Sequence, residues 1–230
     1  MNDTLSEVEA RIVGCLIEKQ ITTPDYYPLS LNALTNACNQ KNNRDPVVFY
    51  DDRTVEAALH ALFPMRLVIK VTGADSRVPK YRHQFPEIYA VTPAEVAVLC
   101  VLMLRGPLTL GEVRGCTGRL HEFADLAQVE ATLDALMRRE PKPYVMRLPR
   151  QPGQKESRFA QLLCGEPEIA AVDEIAPAAS ESPRASTARH AGSPGAVDSK
   201  LAAMEGEIAA LRAEIDALKR EFESFRKAFE

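Results

Sequence analysis

No apolar run in the sequence exceeds nine residues; the longest, Val96 to Leu104, is less than half of the roughly 20 that a membrane-spanning helix requires. The opening Asn2, Asp3 and Thr4 lead into an amphipathic segment with no basic stretch followed by an apolar one. A cytoplasmic location with no membrane partner is therefore expected. Cysteine is sparse and unpatterned. Cys15, Cys38, Cys100, Cys116 and Cys164 include no C-x-x-C pair, which argues against a disulfide frame or zinc site and for buried reduced thiols. His60, His83, His121 and His190 are as scattered, and no metal-ligand set emerges. A phosphate-cradling glycine loop, a nucleophile elbow and a paired-carboxylate constellation are missing as well. The adjacent acids Glu7 and Glu9, or Asp51 and Asp52, stand at helix starts, where they stabilise the positive end of the dipole without a catalytic role. No catalytic residue and no cofactor is expected, and the chain reads as non-enzymatic.

What is present is ordinary globular composition, 46% apolar and 26% charged, with enough apolar surface for a packed core. A length of 230 residues points to two units of about 75 to 100 residues plus something extended. The net charge of −4 is unevenly spread. Residues 1–90 carry 10 basic and 11 acidic side chains, residues 91–166 carry 10 and 9, and the remainder 8 and 12. Most of the acidity thus lies in the tail.

The chain repeats itself in three blocks of the same order. Ser6-x-x-Glu9 opens a stretch with Val8, Ile12, Cys15 and Leu16 on one face, and Thr92-Pro93-x-Glu95 opens another with Val96, Leu99 and Met103. Both are capping boxes and predict helix starts. Pro28-Leu29-Ser30-Leu31 and Pro107-Leu108-Thr109-Leu110 each set a helix-starting hydroxyl between apolar anchors. The third block pairs Val55–Leu62 with Val129–Leu136, identical at six of eight positions. After each third helix come two strand-like runs separated by a polar turn: Leu67–Val71 and Tyr81–Phe85, then Tyr144–Leu148 and Arg158–Leu163 around Pro152-Gly153. Three helices and a β-hairpin, twice over, predict tandem winged-helix domains. The fold class is mainly α with small β-hairpins, α+β, with a first domain at 1–90 and a second at 91–165.

The first copy is longer, and its extra residues fall in TTPDYYPLSLNALTNACNQKNNRDPV, residues 22–47. This segment resembles the signature of the YceH-like family of uncharacterised bacterial proteins, and the similarity extends from Leu5 through the second hairpin. The resemblance implies a tandem winged-helix fold in a bacterial cytoplasmic protein, with no catalytic residues to carry over.

Within the segment, Asn36, Asn39, Gln40, Lys41, Asn42, Asn43, Arg44 and Asp45 stand almost together. Amides and guanidinium groups read base edges and cations neutralise phosphates; alternatively, Asn and Asp bond their own backbone in an extended turn. Exposure is expected for Lys41 and Arg44. The first hairpin adds Arg66, Lys70, Arg77, Lys80 and Arg82 against Asp75 alone, a pattern that suits a phosphate backbone or a charged edge that resists aggregation. The candidate nucleic-acid contacts are Lys41, Asn42, Asn43, Arg44, Arg53, Lys70, Arg77, Lys80 and Arg82. The second hairpin, with Arg147, Arg150, Lys155 and Arg158 against Glu156, repeats the bias more weakly. The third helix of the first copy argues the other way: with Val55, Leu59 and Leu62 buried, its outer face offers Arg53, Thr54, Glu56, Ala57, His60 and Ala61, few of which read bases.

Residues 166–199 are rich in Ala, Pro, Ser and Gly and predict a flexible linker. At 200–230, Leu201, Met204, Ile208, Leu211, Ile215, Leu218, Phe222, Phe225 and Phe229 alternate spacings of three and four, the a and d positions of a coiled coil. The flanking pairs Lys200–Glu205, Glu207–Arg212, Glu214–Lys219 and Glu221–Arg226 all attract in a parallel in-register pair, so homo-oligomerisation through this helix is expected. A DNA-binding regulatory protein is the leading expectation. A winged-helix module that holds an unidentified protein partner without nucleic acid is the alternative, because fold alone does not choose between them.

Overall fold

Ser6 Oγ accepts a hydrogen bond from the Glu9 N–H while the Glu9 carboxylate accepts one from the Ser6 N–H, and this reciprocal cap starts α1 (Glu7–Thr22). The computed structural model describes residues 4–72, 78–150 and 154–167. A single 3-10 turn over Pro24–Tyr26 leads to β1 (Leu29–Ser30) and α2 (Leu31–Cys38), which Ser30 caps. Asp51 caps α3 (Asp52–Leu62), and β2 (Val68–Val71), β3 (Lys80–His83) and the short α4 (Phe85–Tyr89) complete the first copy.

The second copy runs in the same order. Thr92 and Glu95 form a capping box at α5 (Pro93–Arg105), then come β4 (Leu108–Thr109) and α6 (Leu110–Thr117). Thr109 and Glu112 make a further reciprocal cap there. Asp125 caps α7 (Leu126–Met137), and β5 (Val145–Arg147) pairs with β6 (Arg158–Gln161). The described residues therefore form a mixed α+β architecture of seven α-helices and two three-stranded antiparallel sheets, ordered β1-β3-β2 and β4-β6-β5.

Two features differ from the expected hairpins. Each sheet has a third strand, β1 or β4, of only two residues, too short for an alternating pattern to register. The run expected as a strand to Phe85 instead turns at Gln84 into α4, where Pro86 occupies the first turn; a proline has no N–H to give to a sheet and is suited to a helix start.

Both copies fall within one compact unit, Met1–Glu174, and share one core. Ile12, Leu16 and Ile17 of α1, Leu59 and Leu62 of α3, Leu99 and Leu102 of α5 and Leu133 and Leu136 of α7 are all essentially solvent-free. Each such side chain contributes about 1.5–3 kcal/mol of burial. The seam between the copies is α1 against α5. Gly14 lies so close to Leu104 that a β-carbon there would stand 2.9 Å from Leu104 Cδ2. Backbone bonds cross the seam as well: Leu5 N–H donates to the Leu163 carbonyl at 2.7 Å and Asp45 N–H to the Leu104 carbonyl at 2.9 Å.

Cys15, Cys38 and Cys100 are buried thiols as expected, whereas Cys116 and Cys164 are partly exposed, which corrects the expectation for those two. Among the described residues no helix is long and apolar enough to cross a membrane. Arg77, the linker beyond Pro167 and the heptad segment at 200–230 lie outside the described residues, and so do Pro152 and Gly153 of the second turn.

Candidate nucleic-acid interface

The loop that follows α2 is closed by Asn39. Its side-chain amide donates to the Tyr50 carbonyl at 2.7 Å and its Oδ1 accepts from the Tyr50 N–H at 2.8 Å, so this asparagine joins the two ends of the loop and has a structural role. Asn36 bonds Asn32 on the same helix face at 3.2 Å.

Arg44 does not follow the expectation of exposure. Its side chain is 0% exposed. It donates to both oxygens of Glu18, at 3.1 and 2.7 Å, and to the carbonyls of Ala37 and Asn43. It also contacts Gln40 Oε1 at 3.2 Å and Cys15 Sγ at 3.5 Å. The physical reason is local: the loop folds back on α1, and a guanidinium fork is the group that satisfies a carboxylate and several carbonyls at one buried point. Burial pushes the Glu18 carboxyl up, but the hydrogen bonds and charge of Arg44, joined by Lys19, outweigh it and hold the carboxyl below its usual range. Arg44 is therefore a structural residue and leaves the set of candidate contacts.

The rest of the loop remains outward. Lys41, Asn42 and Asn43 are exposed. Asn43 takes a left-handed backbone with φ 60°, which asparagine tolerates better than most residues. Its Oδ1 accepts a hydrogen bond from Arg105 at the end of α5. That link to the second copy has no local signal in the sequence.

On the first sheet, β3 is central and reads exposed, buried, exposed, buried from Lys80 to His83. Lys80 and Arg82 thus project from one face while Tyr81 and His83 face the core. The register sets Lys70 opposite Tyr81, so Lys70 belongs to the other face although it too is exposed. The basic cluster of the hairpin is accordingly split: Lys80 and Arg82 act together, and Lys70 stands apart. Arg53 is exposed on α3, and Thr54, Glu56, Ala57, His60 and Ala61 accompany it at the surface.

The second copy uses its cations differently. Arg147 pairs with Glu130 at 3.8 Å and Arg158 with Glu112 at 3.2 Å. Arg138 pairs with Asp134 at 3.6 Å. Arg139 joins Glu95 at 3.3 Å, donates to the carbonyls of Tyr89 and Ala90, and lies over the Tyr144 ring. In contrast, Lys41, Arg53, Lys70, Lys80 and Arg82 make no ion pair with any described residue. Unpaired cations occur in both copies, Arg114 and Arg119 of the second among them, but those of the first include the hairpin pair Lys80 and Arg82. Among the described residues no cluster of His, Cys, Asp and Glu is arranged to hold a metal ion.

The duplicated helix-and-sheet units, with the long loop of the first copy, define a class of protein before they define a member. A family profile described as "Protein of unknown function, DUF480" matches residues 5–154, and the chain belongs to that family. It is 55% identical over 178 residues to the UPF0502 protein GSU0233 of Geobacter sulfurreducens, covering 77% of this chain and 80% of that protein. Similarity to UPF0502 proteins of Geotalea daltonii, 56% over 171 residues, and Opitutus terrae, 53% over 169, covers 74% of this chain in both cases and 78% and 74% of the relatives. The resemblance read from residues 22–47 is thereby shown: this is the uncharacterised bacterial DUF480/UPF0502, or YceH-like, family.

Proposed function

We propose that this chain is a non-enzymatic DNA-binding, regulatory protein whose two helix–strand–helix–helix–strand–strand units act as tandem winged helices. The observation that carries the reading is the pairing state of the cations. Lys80 and Arg82 project together from the central strand of the first sheet, Lys41 and Arg53 stand exposed elsewhere in the first copy, and no described carboxylate pairs with any of them. Free cations of this kind gain most from phosphate oxygens, because binding releases the counterions condensed on the duplex. The exposed face of α3 has few base-reading groups, which fits phosphate-anchored binding with weak sequence discrimination.

The 200–230 segment joins chains through Leu201, Met204, Ile208, Leu211, Ile215, Leu218, Phe222, Phe225 and Phe229 in this proposal, and the resulting bivalency raises affinity without new contacts. The Ala- and Pro-rich stretch before it is the linker, and cytoplasmic DNA is the site of action.

The poverty of α3 also favours a second reading, a winged-helix module that binds a protein through the same surfaces. Fluorescence anisotropy with labelled genomic DNA fragments at two salt concentrations separates the two. Binding that weakens steeply with salt supports the first; no binding at low salt supports the second.

A further inference from the structure

Where α1 and the residue 40–43 loop of the first copy meet α5 and α6 of the second, the surface sinks into a cavity of about 480 Å³. That volume lies within the roughly 300–1,000 Å³ typical of small-ligand sites. Four cations from four segments line it: Lys19 of α1, Lys41 of the loop, Arg105 of α5, and Arg119 beyond α6. The one lining carboxylate, Glu18, is taken up by Arg44 at 2.7 Å and by Lys19 at 3.5 Å, which leaves Lys41, Arg105 and Arg119 without a carboxylate partner. Like charges gathered round one concavity repel each other, and an anion between them removes that cost. Lys41 and Arg119 make no hydrogen bond or ion pair with any described residue. Arg105 is set in place by its bond to Asn43 Oδ1.

The remaining lining specifies the rest of the ligand. Thr22 and Thr23 donate their hydroxyls to the carbonyls of Glu18 and Lys19, at 2.8 and 3.2 Å, so their oxygens are left to accept. The amide of Asn42 adds a donor and an acceptor to the lining, and Gln40, whose Oε1 already accepts from Lys19 and Arg44, adds its N–H donors. Val101, Leu104 and Leu120 form an apolar strip that suits a carbon skeleton. No aromatic side chain lines the cavity, so it has no platform on which a nucleobase stacks.

We propose that this cavity binds a phosphorylated polyhydroxy compound, of the size of a sugar phosphate, with its terminal phosphate among Lys41, Arg105 and Arg119 and its hydroxyls on the threonines and amides. A terminal phosphate monoester carries more charge than a phosphodiester within a strand and is free to enter a concave site. The site shares Lys41 with the cations proposed for DNA but neither Lys80 nor Arg82, and it does not depend on that reading.

The test is isothermal titration calorimetry of the full chain, without DNA, using ribose 5-phosphate, glucose 6-phosphate and glycerol 3-phosphate, with ribose and inorganic phosphate as controls. At least one organic phosphate should bind saturably and more tightly than either control. Arg119→Ala and Lys41→Ala should each weaken it by about tenfold, the worth of one charge-assisted hydrogen bond. Both residues are exposed, so the variants are expected to fold, and unchanged far-UV circular dichroism checks this. In a parallel DNA titration Arg119→Ala should leave duplex affinity unchanged. Failure of all three organic phosphates to bind, binding that survives both substitutions, or inorganic phosphate bound as tightly as the best of them would overturn the proposal. So would an Arg119→Ala variant that loses DNA affinity while no sugar phosphate binds the parent, which would assign the cavity to the duplex.

Discussion

Arg44 Nη2 lies 2.7 Å from Glu18 Oε2, with the arginine side chain fully withdrawn from solvent. This pair ties the long loop of the first copy to α1, and it accounts for the position from which Lys41, Asn42 and Asn43 reach outward.

Removing the carboxylate leaves a buried guanidinium without its anion. Glu18→Ala is expected to cost about 3 kcal/mol or more in urea unfolding. The pair also gives the protein a pH dependence. The folded Glu18 carboxyl sits below its usual range, so its contribution is complete above the ordinary carboxylate pKa and is lost as pH falls through the lower folded value. A Glu18→Gln variant should show a shallower acid-unfolding profile.

His83 provides a second titration with a separate window. Its Nδ1 accepts the Phe85 N–H at 3.2 Å, while Nε2 is buried with no described partner. Burial, opposed by Glu87 and aided by Arg82, lowers its pKa from 6.5 to about 4. A second proton on Nδ1 would also displace the Phe85 bond. Because the unfolded state binds the proton first, stability is full above 6.5 and declines as pH falls towards about 4. The loss is on the order of 3 kcal/mol. Urea midpoints measured across that window should slope for the parent chain and flatten for His83→Gln.

Gly14 sets the distance between the two copies. Valine at that position would press on Leu104, which the glycine already approaches to within a β-carbon's reach. Overpacking of this kind typically costs about 1–3 kcal/mol, and thermal unfolding of Gly14→Val should show it as a lowered midpoint.

The proposed oligomer predicts that truncation after Ser199 reduces the mass found by light scattering to that of one chain. An unchanged state of association would assign the contacts to another part of the protein.

Local signals in the sequence translated directly into structure. Ser6 with Glu9 and Thr92 with Glu95 capped their helices because both partners of a capping box lie within one turn. The outward face of α3 followed from its spacing of Val55, Leu59 and Leu62. Long-range relationships left no such trace. Glu18 lies 26 residues from Arg44, so the burial of that arginine was not written in the run of polar residues around it. Leu104 meets Gly14 across the seam of the two copies, and β1 and β4 become strands only by pairing with β3 and β6. Of the candidate interface, the alternation of Lys80 to His83 was readable as period two, whereas the separation of Lys70 from Lys80 and Arg82 depended on the register.

The most direct test of DNA binding is the slope of log K against log salt for a duplex fragment, compared between the parent chain and a Lys41→Ala, Lys80→Ala, Arg82→Ala variant. Each phosphate contact contributes roughly one unit to that slope, so the variant should bind more weakly and with a slope shallower by up to about three. A parent chain that binds no duplex at low salt, or a variant with an identical slope, would contradict the account.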